Sequence, residues 1–116
     1  MSKIAIAIHG GAGTLVKGMM TPELEKSYKK ALQTALDAGY KLLENGASSL
    51  DAVEKAVQEL ENSHLFNAGK GSVFTATETH EMDASIMEGK HLKAGSVSLI
   101  TGIANPVSLA RDVMEK

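Results

Sequence analysis

The amino-acid sequence predicts an α+β fold, and three observations carry this prediction. An apolar run near the N-terminus ends in a cluster of glycines, and two long segments then repeat their apolar residues at helical spacing. After residue 71 the apolar period shortens to that of strands. The predicted order of elements is β-α-α-β-β-β-α. A chain of 116 residues has the size of one domain or of part of one.

The first predicted strand covers residues 3–9. Its apolar run from Ile4 to Ile8 is nearly continuous, which is typical of a strand buried on both faces, so we expect it near the centre of a sheet. A glycine-rich loop at residues 10–13 follows. Because glycine enters positive-φ conformations without steric cost, a tight loop with exposed backbone amides is expected there.

Thr21 and Pro22 predict the start of a long helix that runs to about Asn45. The threonine hydroxyl can cap free amides, and proline fits the first helical position, where its missing N–H is harmless. Gly46 suits the left-handed conformation that ends many helices. The predicted inner face, interrupted by Gly39, consists of Leu24, Tyr28, Ala31, Leu32, Ala35, Leu42 and Leu43.

A second helix is predicted directly after the first. Ser48 and Asp51 resemble a capping box in which Asp replaces the usual Glu or Gln. The apolar residues at helical spacing are Leu50, Val53, Ala56, Val57 and Leu60.

The remaining elements are short strands and a last helix. The segments with strand periodicity, joined by polar turns as in an antiparallel meander, are 72–75, 82–87 and 93–99. A last helix is predicted over 107–115, capped by Asn105 and Pro106. Its predicted inner face consists of Leu109, Ala110, Val113 and Met114.

Composition excludes several classes of function. A net charge of −2, from 12 basic and 14 acidic residues, gives no electrostatic footprint for nucleic acid. No run of about 18 apolar residues is present, so no membrane span is predicted. The apolar run that starts at Ile4 is shorter than the core of a signal peptide, and we expect a cytoplasmic protein. The absence of cysteine excludes disulfides, thiolate metal sites and a cysteine nucleophile.

Two glycine-rich segments are candidate sites. The loop at residues 10–13 is either a structural turn or a backbone cradle for an anion, but it lacks the spacing of a dinucleotide fingerprint. In the second segment, Asn67 stands between Phe66 and the glycines at 69 and 71. Its amide either orients a carbonyl or a water, or bonds its own backbone in an Asx turn.

The other polar candidates are Asp83 and the histidines. Asp83 lies in an otherwise apolar strand, where it is either a hydrogen-bonding anchor or a catalytic acid. His9 ends the first strand beside the glycines and is a candidate acid or base. The remaining histidines, which we assign to loops and which lack metal-binding spacing, are His64, His80 and His91. No serine lies in a Gly-x-Ser-x-Gly elbow.

Five collinear segments resemble the plant-type asparaginase/isoaspartyl peptidase family. They are IAIHGGAG (6–13), LDAV (50–53), FNAGKGSV (66–73), MDASIM (82–87) and ANP (104–106). Each segment alone is modestly specific, but their common order and spacing cover essentially the whole chain. The chain is therefore identified as similar to this family.

The resemblance implies an N-terminal-nucleophile (Ntn) hydrolase with a four-layer αββα sandwich, made as a precursor that cuts itself into α and β subunits. Residues 1–116 would be the N-terminal portion of that single domain. The new β N-terminus would be a threonine that hydrolyses L-asparagine and isoaspartyl dipeptides. Thr14 and Thr101 lack the setting of such a cleavage point, so the nucleophile-bearing β part is expected outside this chain. The resemblance implies that the groups that hold the carboxylate and amine of the substrate lie in that β part as well.

Residue roles follow from the same resemblance. Asn67 would lie beside the nucleophile and hold a water or an oxygen, and Gly10 and Gly11 would border the same cleft. The segment from Leu60 to Lys70 resembles a structural sodium site, and backbone oxygens suit a hard cation. The expected ligands are the carbonyls of Leu60, Glu61, Ser63, Phe66, Ala68 and Lys70.

The resemblance also implies binding partners, and two alternative functions remain open. The expected partner is the chain's own β subunit, with two αβ units forming a homodimer and a small molecule or dipeptide as substrate. One alternative is an N-glycosylasparaginase-like amidohydrolase of the same fold. Another is a non-catalytic binding module that retains the α half, although such a module would leave unpaired strand edges and an exposed apolar face.

Overall fold

The computed structural model describes residues 3–11, 21–66 and 81–116. Its elements in chain order are α1 (Pro22–Glu44), α2 (Ser49–Glu61), β1 (Met82–Glu88), β2 (Lys93–Ile100) and α3 (Pro106–Glu115). Three helices and one two-stranded antiparallel sheet in these ranges confirm the α+β class. The predicted strand at 72–75 lies outside the described residues.

Helix α1 begins and ends where the sequence predicts. The Thr21 hydroxyl accepts the Leu24 N–H at 3.1 Å and caps the first turn, with proline at the first helical position. At the other end Gly46 has φ +85° and donates its N–H to the Leu43 carbonyl at 3.1 Å. Positive φ is the conformation in which glycine is favoured over other residues, so Gly46 stops the helix as expected.

Small residues bring α1 and α2 close together. Ala35 and Ala52 are almost fully buried, with 0% and 1% of their surface exposed. A Cβ on Gly39 would lie 2.6 Å from the Ile6 side chain and 3.0 Å from the Ala52 carbonyl. Gly39 therefore interrupts the apolar stripe of α1 because both α2 and the N-terminal segment pack against its backbone.

Helix α3 covers one face of the hairpin formed by β1 and β2. Ile86 pairs with Gly95 on that face, and a Cβ on Gly95 would lie only 2.3 Å from the Ala110 carbonyl. The absence of a side chain thus lets α3 lie directly on β2. The buried apolar cluster at this contact consists of Leu50, Ile86, Val107, Ala110 and Met114.

The predicted strand at residues 3–9 is not formed in this structure. This segment pairs with neither β1 nor β2, and those two are the only strands in the described ranges. Ile4, Ile6 and Ile8 are half-buried while the alanines between them are exposed, so the segment is not buried on both faces. An apolar run shows that a segment can be buried, but a strand also needs a hydrogen-bonding neighbour.

Two valines predicted to face inward are turned outward. Val53 of α2 is 39% exposed and Val113 of α3 is 48% exposed. Val113 lies just outside the buried arc of α3, where the 100° rotation per residue places a side chain beyond the contact. In α2 the buried positions instead include Ala52 and Glu61.

Candidate functional site

The structure brings the glycine loop next to the end of the segment that leads to Asn67. A Cβ on Gly10 would lie 2.9 Å from Leu32 Cδ2 and 3.2 Å from Phe66 Cε1. Phe66 is buried and makes an edge-to-face contact with Tyr28, with ring centroids 5.7 Å apart. Gly10 is required here for close packing, which supports the structural-turn interpretation of the loop.

Gly11 adds a second constraint on the same loop. Its φ of +107° is a conformation that side-chain-bearing residues rarely adopt. The predicted neighbour of these glycines, Asn67, lies outside the described residues, as do the candidate cation ligands Ala68 and Lys70. The described part of the site is therefore the glycine pair and the segment from Leu60 to Phe66.

The chemistry of that segment fits a hard cation. Helix α2 ends at Glu61, and its last turn contains no basic residue to offset the negative end of the helix dipole. The Leu60 carbonyl accepts the Ser63 N–H at 3.2 Å, and a carbonyl oxygen has a second lone pair for another partner. The Ser63 hydroxyl accepts the Leu65 N–H at 3.2 Å, which turns the backbone just beyond the helix. Carbonyl groups at a helix C-terminus are suitable ligands for a cation.

The Glu61 side chain, by contrast, binds protein groups. Only 3% of this residue is exposed. Its Oε2 accepts the buried Val107 N–H at 3.0 Å, and its Oε1 accepts an N–H of the Asn105 amide at 3.1 Å. Burial raises the pKa of the Glu61 carboxyl, although the hydrogen bonds from Asn105 and Val107 act in the opposite direction.

The predicted capping role of the Asn105 side chain is wrong. Asn105 precedes α3, but its side chain makes no capping hydrogen bond within that helix. Its amide donates instead to Glu61 and, at 3.2 Å, to Asn62 Oδ1. The free backbone N–H of Val107 is bound by the Glu61 carboxylate of α2, which is 46 residues away in the sequence.

Sequence patterns missed the function of the Glu61 side chain. An available signal was its position, because an acidic residue in the last turn of a helix is disfavoured by the dipole and needs a partner elsewhere. Only the fold identifies that partner.

A second polar cluster joins α2 to α3 at the other end of their contact. The Arg111 guanidinium donates to Asp51 at 2.7 Å, to Glu54 at 2.9 Å and to Glu115 at 2.8 Å. The hydrogen bond from Arg111 lowers the pKa of Asp51, and the carboxylates raise the pKa of Arg111. This cluster is partly exposed and has the character of a structural network.

Asp83 is a structural anchor in the hairpin. Its exposed carboxylate accepts the Leu99 N–H at 2.8 Å. Leu99 has φ +53°, and the strand register is irregular between Met82 and Ala84. The hydrogen bond therefore stabilises an irregularity of the sheet, which favours the anchor over the catalytic acid.

The histidines provide no metal site in the described ranges. His9 and His64 are exposed, and His80 lies outside those ranges. His91 in the hairpin turn contacts the Glu88 carboxylate through its ring Nδ1 and donates its backbone N–H to the same carboxylate at 3.0 Å. The ring contact lowers the pKa of Glu88. No cluster of three or more His, Cys, Asp or Glu side chains suited to a metal occurs within residues 3–11, 21–66 and 81–116.

Among the same described residues, none of the helices combines the length and the apolar character that a bilayer crossing requires.

Comparison with known proteins gives matches along the whole chain. A family profile described as Asparaginase matches residues 2–116. The isoaspartyl peptidase of Escherichia coli is 50% identical over 116 residues, which is 100% of this chain and 36% of that protein. The isoaspartyl peptidase/L-asparaginase of Xenopus laevis is 49% identical over 114 residues, covering 98% of this chain and 35% of its own length.

An archaeal relative gives a similar match. The plant-type L-asparaginase of Pyrococcus furiosus is 50% identical over 113 residues, which cover 97% of this chain and 35% of that protein. The chain therefore spans about a third of the length of the curated relatives it matches.

Proposed function

The chain belongs to the asparaginase family, and we propose that it forms the non-nucleophile part of a Thr-dependent amidohydrolase. The proposed reaction is hydrolysis of the side-chain amide of L-asparagine and of β-aspartyl dipeptides. The observation that carries the proposal is about 50% identity over nearly the whole chain to proteins named isoaspartyl peptidase and plant-type L-asparaginase. The residues that match the family profile, 2–116, include all five segments described above.

The proposed architecture is a four-layer αββα sandwich in which residues 1–116 contribute part of one Ntn-hydrolase domain. Support comes from the layering of α3 on the hairpin. The other face of the hairpin is exposed at Ser85, Met87 and Ser96, and it is the face on which a second sheet would pack. Self-cleavage of a precursor would create the β subunit, and two αβ units would form a homodimer, in the cytoplasm.

In the proposed mechanism, the threonine at the β N-terminus attacks the amide carbonyl carbon. Its own α-amine accepts the hydroxyl proton, the carbonyl oxygen becomes an oxyanion held by hydrogen-bond donors, and the amine of the substrate leaves with a proton. Water then releases the aspartyl product from the enzyme. This chain would contribute Asn67, which orients an oxygen or a water, and the loop of Gly10 and Gly11, which would border the same cleft.

A sodium ion would have a structural role in this scheme. Carbonyls of Leu60, Glu61, Ser63 and Phe66, together with Ala68 and Lys70, would hold it. The bound ion supplies positive charge that offsets the carbonyl dipoles at the end of α2. The residues of the chain then hold the turn that leads towards Asn67.

The test uses the protein as encoded, with every segment that its gene supplies. We expect it to separate into two bands on a denaturing gel, and N-terminal sequencing of the new band to begin with threonine. The cleaved protein should release ammonia from L-asparagine and free aspartate from β-aspartyl dipeptides. An intact chain that turns over neither substrate would contradict the proposal, and preferential hydrolysis of glycosylated asparagine would move the function to the N-glycosylasparaginase class.

A further inference from the structure

We infer that Glu61 is a positioning residue for this enzyme, whose carboxylate fixes the turn after α2 by binding the first free backbone amide of α3. The inference rests on the proposed function for its effect on the reaction. Its structural basis is the buried carboxylate itself, with 3% exposure and hydrogen bonds to Val107 and Asn105 at 3.0 and 3.1 Å.

The geometry at the start of α3 explains why a side chain from another helix is needed. Pro106 occupies the first helical position and has no N–H to donate. Val107 therefore presents the first free amide of the helix, and it is buried with only 2% exposure. A buried amide without a hydrogen-bond acceptor is costly, and the Asn105 side chain does not accept from Val107. The Glu61 carboxylate is the acceptor instead.

Two further hydrogen bonds join the last turn of α2 to the start of α3 beside Glu61. Asn62 Oδ1 accepts from the same Asn105 amide at 3.2 Å, and the Gln58 amide donates to the Ser108 hydroxyl at 2.7 Å. We call this set of contacts the α2–α3 clamp. Its residues are Gln58, Glu61, Asn62, Asn105, Val107 and Ser108.

The position of the clamp gives it a functional consequence. The clamp holds the last turn of α2 immediately before residues 63–66, which include the candidate cation ligands Ser63 and Phe66 and continue to Asn67. Its other half begins α3, which lies directly on the backbone of β2 at Gly95. The turn is thereby fixed to the sheet rather than to α2 alone. A misplacement of about 1 Å in a site can lower a rate by about a hundredfold.

The expected kinetic signature is a loss of kcat with little change in KM. By the family resemblance, the groups that hold the carboxylate and amine of the substrate lie outside this chain. Loosening the turn before Asn67 would therefore affect the orientation of the reacting oxygen more than substrate binding.

The test compares Glu61→Gln with a matched control in the protein as encoded. The substituted amide keeps one oxygen for Val107 but presents an NH₂ group to the NH₂ of Asn105, so one clamp hydrogen bond is lost. We expect kcat per cleaved chain to fall about tenfold or more, with KM unchanged within about twofold. Glu59→Gln removes a carboxylate of the same helix whose partner is Lys55, at 3.3 Å. This control should retain the kinetics of the unmodified protein.

A second variant separates positioning from simple destabilisation. In the double variant E61Q/N105D, the carboxylate introduced on the α3 side accepts from the NH₂ group introduced on α2 and restores the hydrogen bond between positions 61 and 105, while the exposed contact with Asn62 Oδ1 is lost. We expect it to recover most of the lost kcat when both variants are assayed well below their melting temperatures.

The outcomes distinguish the inference from the function on which it rests. Unchanged kcat in E61Q, or a rise in KM that accounts for the whole loss, would overturn the inference while leaving the proposed function intact. Absence of rescue in a folded, cleaved double variant would overturn it as well. Inactivity of the unmodified protein would instead refute the proposed function.

Discussion

The two ends of the contact between α2 and α3 are held by different physical means. Asp51 and Glu54, from the first turns of α2, meet Arg111 on α3, while Glu61 at the other end of α2 meets the start of α3. The helices therefore run antiparallel, with an ionic network at one end and a buried carboxylate bound by neutral donors at the other.

The two ends differ in solvent exposure and therefore in how much each contributes to stability. The side chain of Asp51 is 46% exposed, so its ion pair is screened by water and contributes about 0.2–1 kcal/mol. Glu61 is buried, and disrupting a buried hydrogen bond costs about 1–3 kcal/mol because the remaining partner is left without water. The exposed end adds modest stability, whereas the buried end specifies one relative position of the two helices.

The largest expected effect comes from a change that separates α3 from the sheet and so disturbs both ends. In Gly95→Ala, the new Cβ would lie 2.3 Å from the Ala110 carbonyl and 2.6 Å from the Met114 amide nitrogen. These are backbone atoms, which cannot avoid the new Cβ by a change of side-chain rotamer, so α3 would have to move away from the sheet. We therefore expect the free energy of unfolding, measured by urea denaturation, to fall by about 3 kcal/mol. Gly89→Ala in the hairpin turn is the control, since nothing lies within 4 Å of its new Cβ. Equal stability of the two variants would contradict the close packing of α3.

A smaller effect is expected when only the buried end is broken. Glu61→Ala removes the acceptor of the Val107 amide and leaves that amide buried without a partner. We expect the free energy of unfolding, again from urea denaturation, to fall by about 1–3 kcal/mol. Glu59→Ala removes an acid of the same helix and should change stability by less than about 1 kcal/mol. If both variants lose the same amount, Glu61 has no special role in the contact.

Features that depend on neighbouring residues could be predicted from the sequence, unlike the contacts that hold the two ends together. Thr21 and Ser48 can be recognised as caps in the sequence because each acts on its own helix, where its hydroxyl accepts an N–H three residues later, at 3.1 Å in both cases. Gly46 can be recognised as well, since its positive φ is set by the helix that it ends. Contacts within a few residues follow from local chemistry and can be recognised in the sequence.

Contacts between distant segments could not be predicted in this way. The Asn105 pattern before Pro106 resembles a local cap, but the amide joins Glu61 over a separation of 44 residues. The apolar run of residues 3–9 indicated a strand without identifying a neighbour to pair with it. For the candidate site, the family resemblance named Gly10 and Phe66, but only the fold shows that a Cβ on Gly10 would lie 3.2 Å from the Phe66 ring.

The smallest expected effect concerns the exposed end and depends on pH. The Arg111 hydrogen bond lowers the pKa of Asp51 below its ordinary value of 3.8 in the folded protein. The ionised carboxylate therefore adds stability at pH values above about 4, and this contribution is lost as the pH falls through the lowered pKa. Asp51→Asn should reduce the free energy of unfolding by about 0.2–1 kcal/mol at pH 7, and the gap should narrow as the pH is lowered from 7 through the lowered pKa of Asp51.

Asp112→Asn, an exposed substitution on α3 outside this network, is the matched control and should leave no such gap. Urea denaturation of both variants across this pH range measures the difference. A gap for Asp51→Asn that persists at the acid end of the range would show that packing, rather than the charge of Asp51, supplies the contribution, because a protonated carboxyl and an amide carry the same net charge.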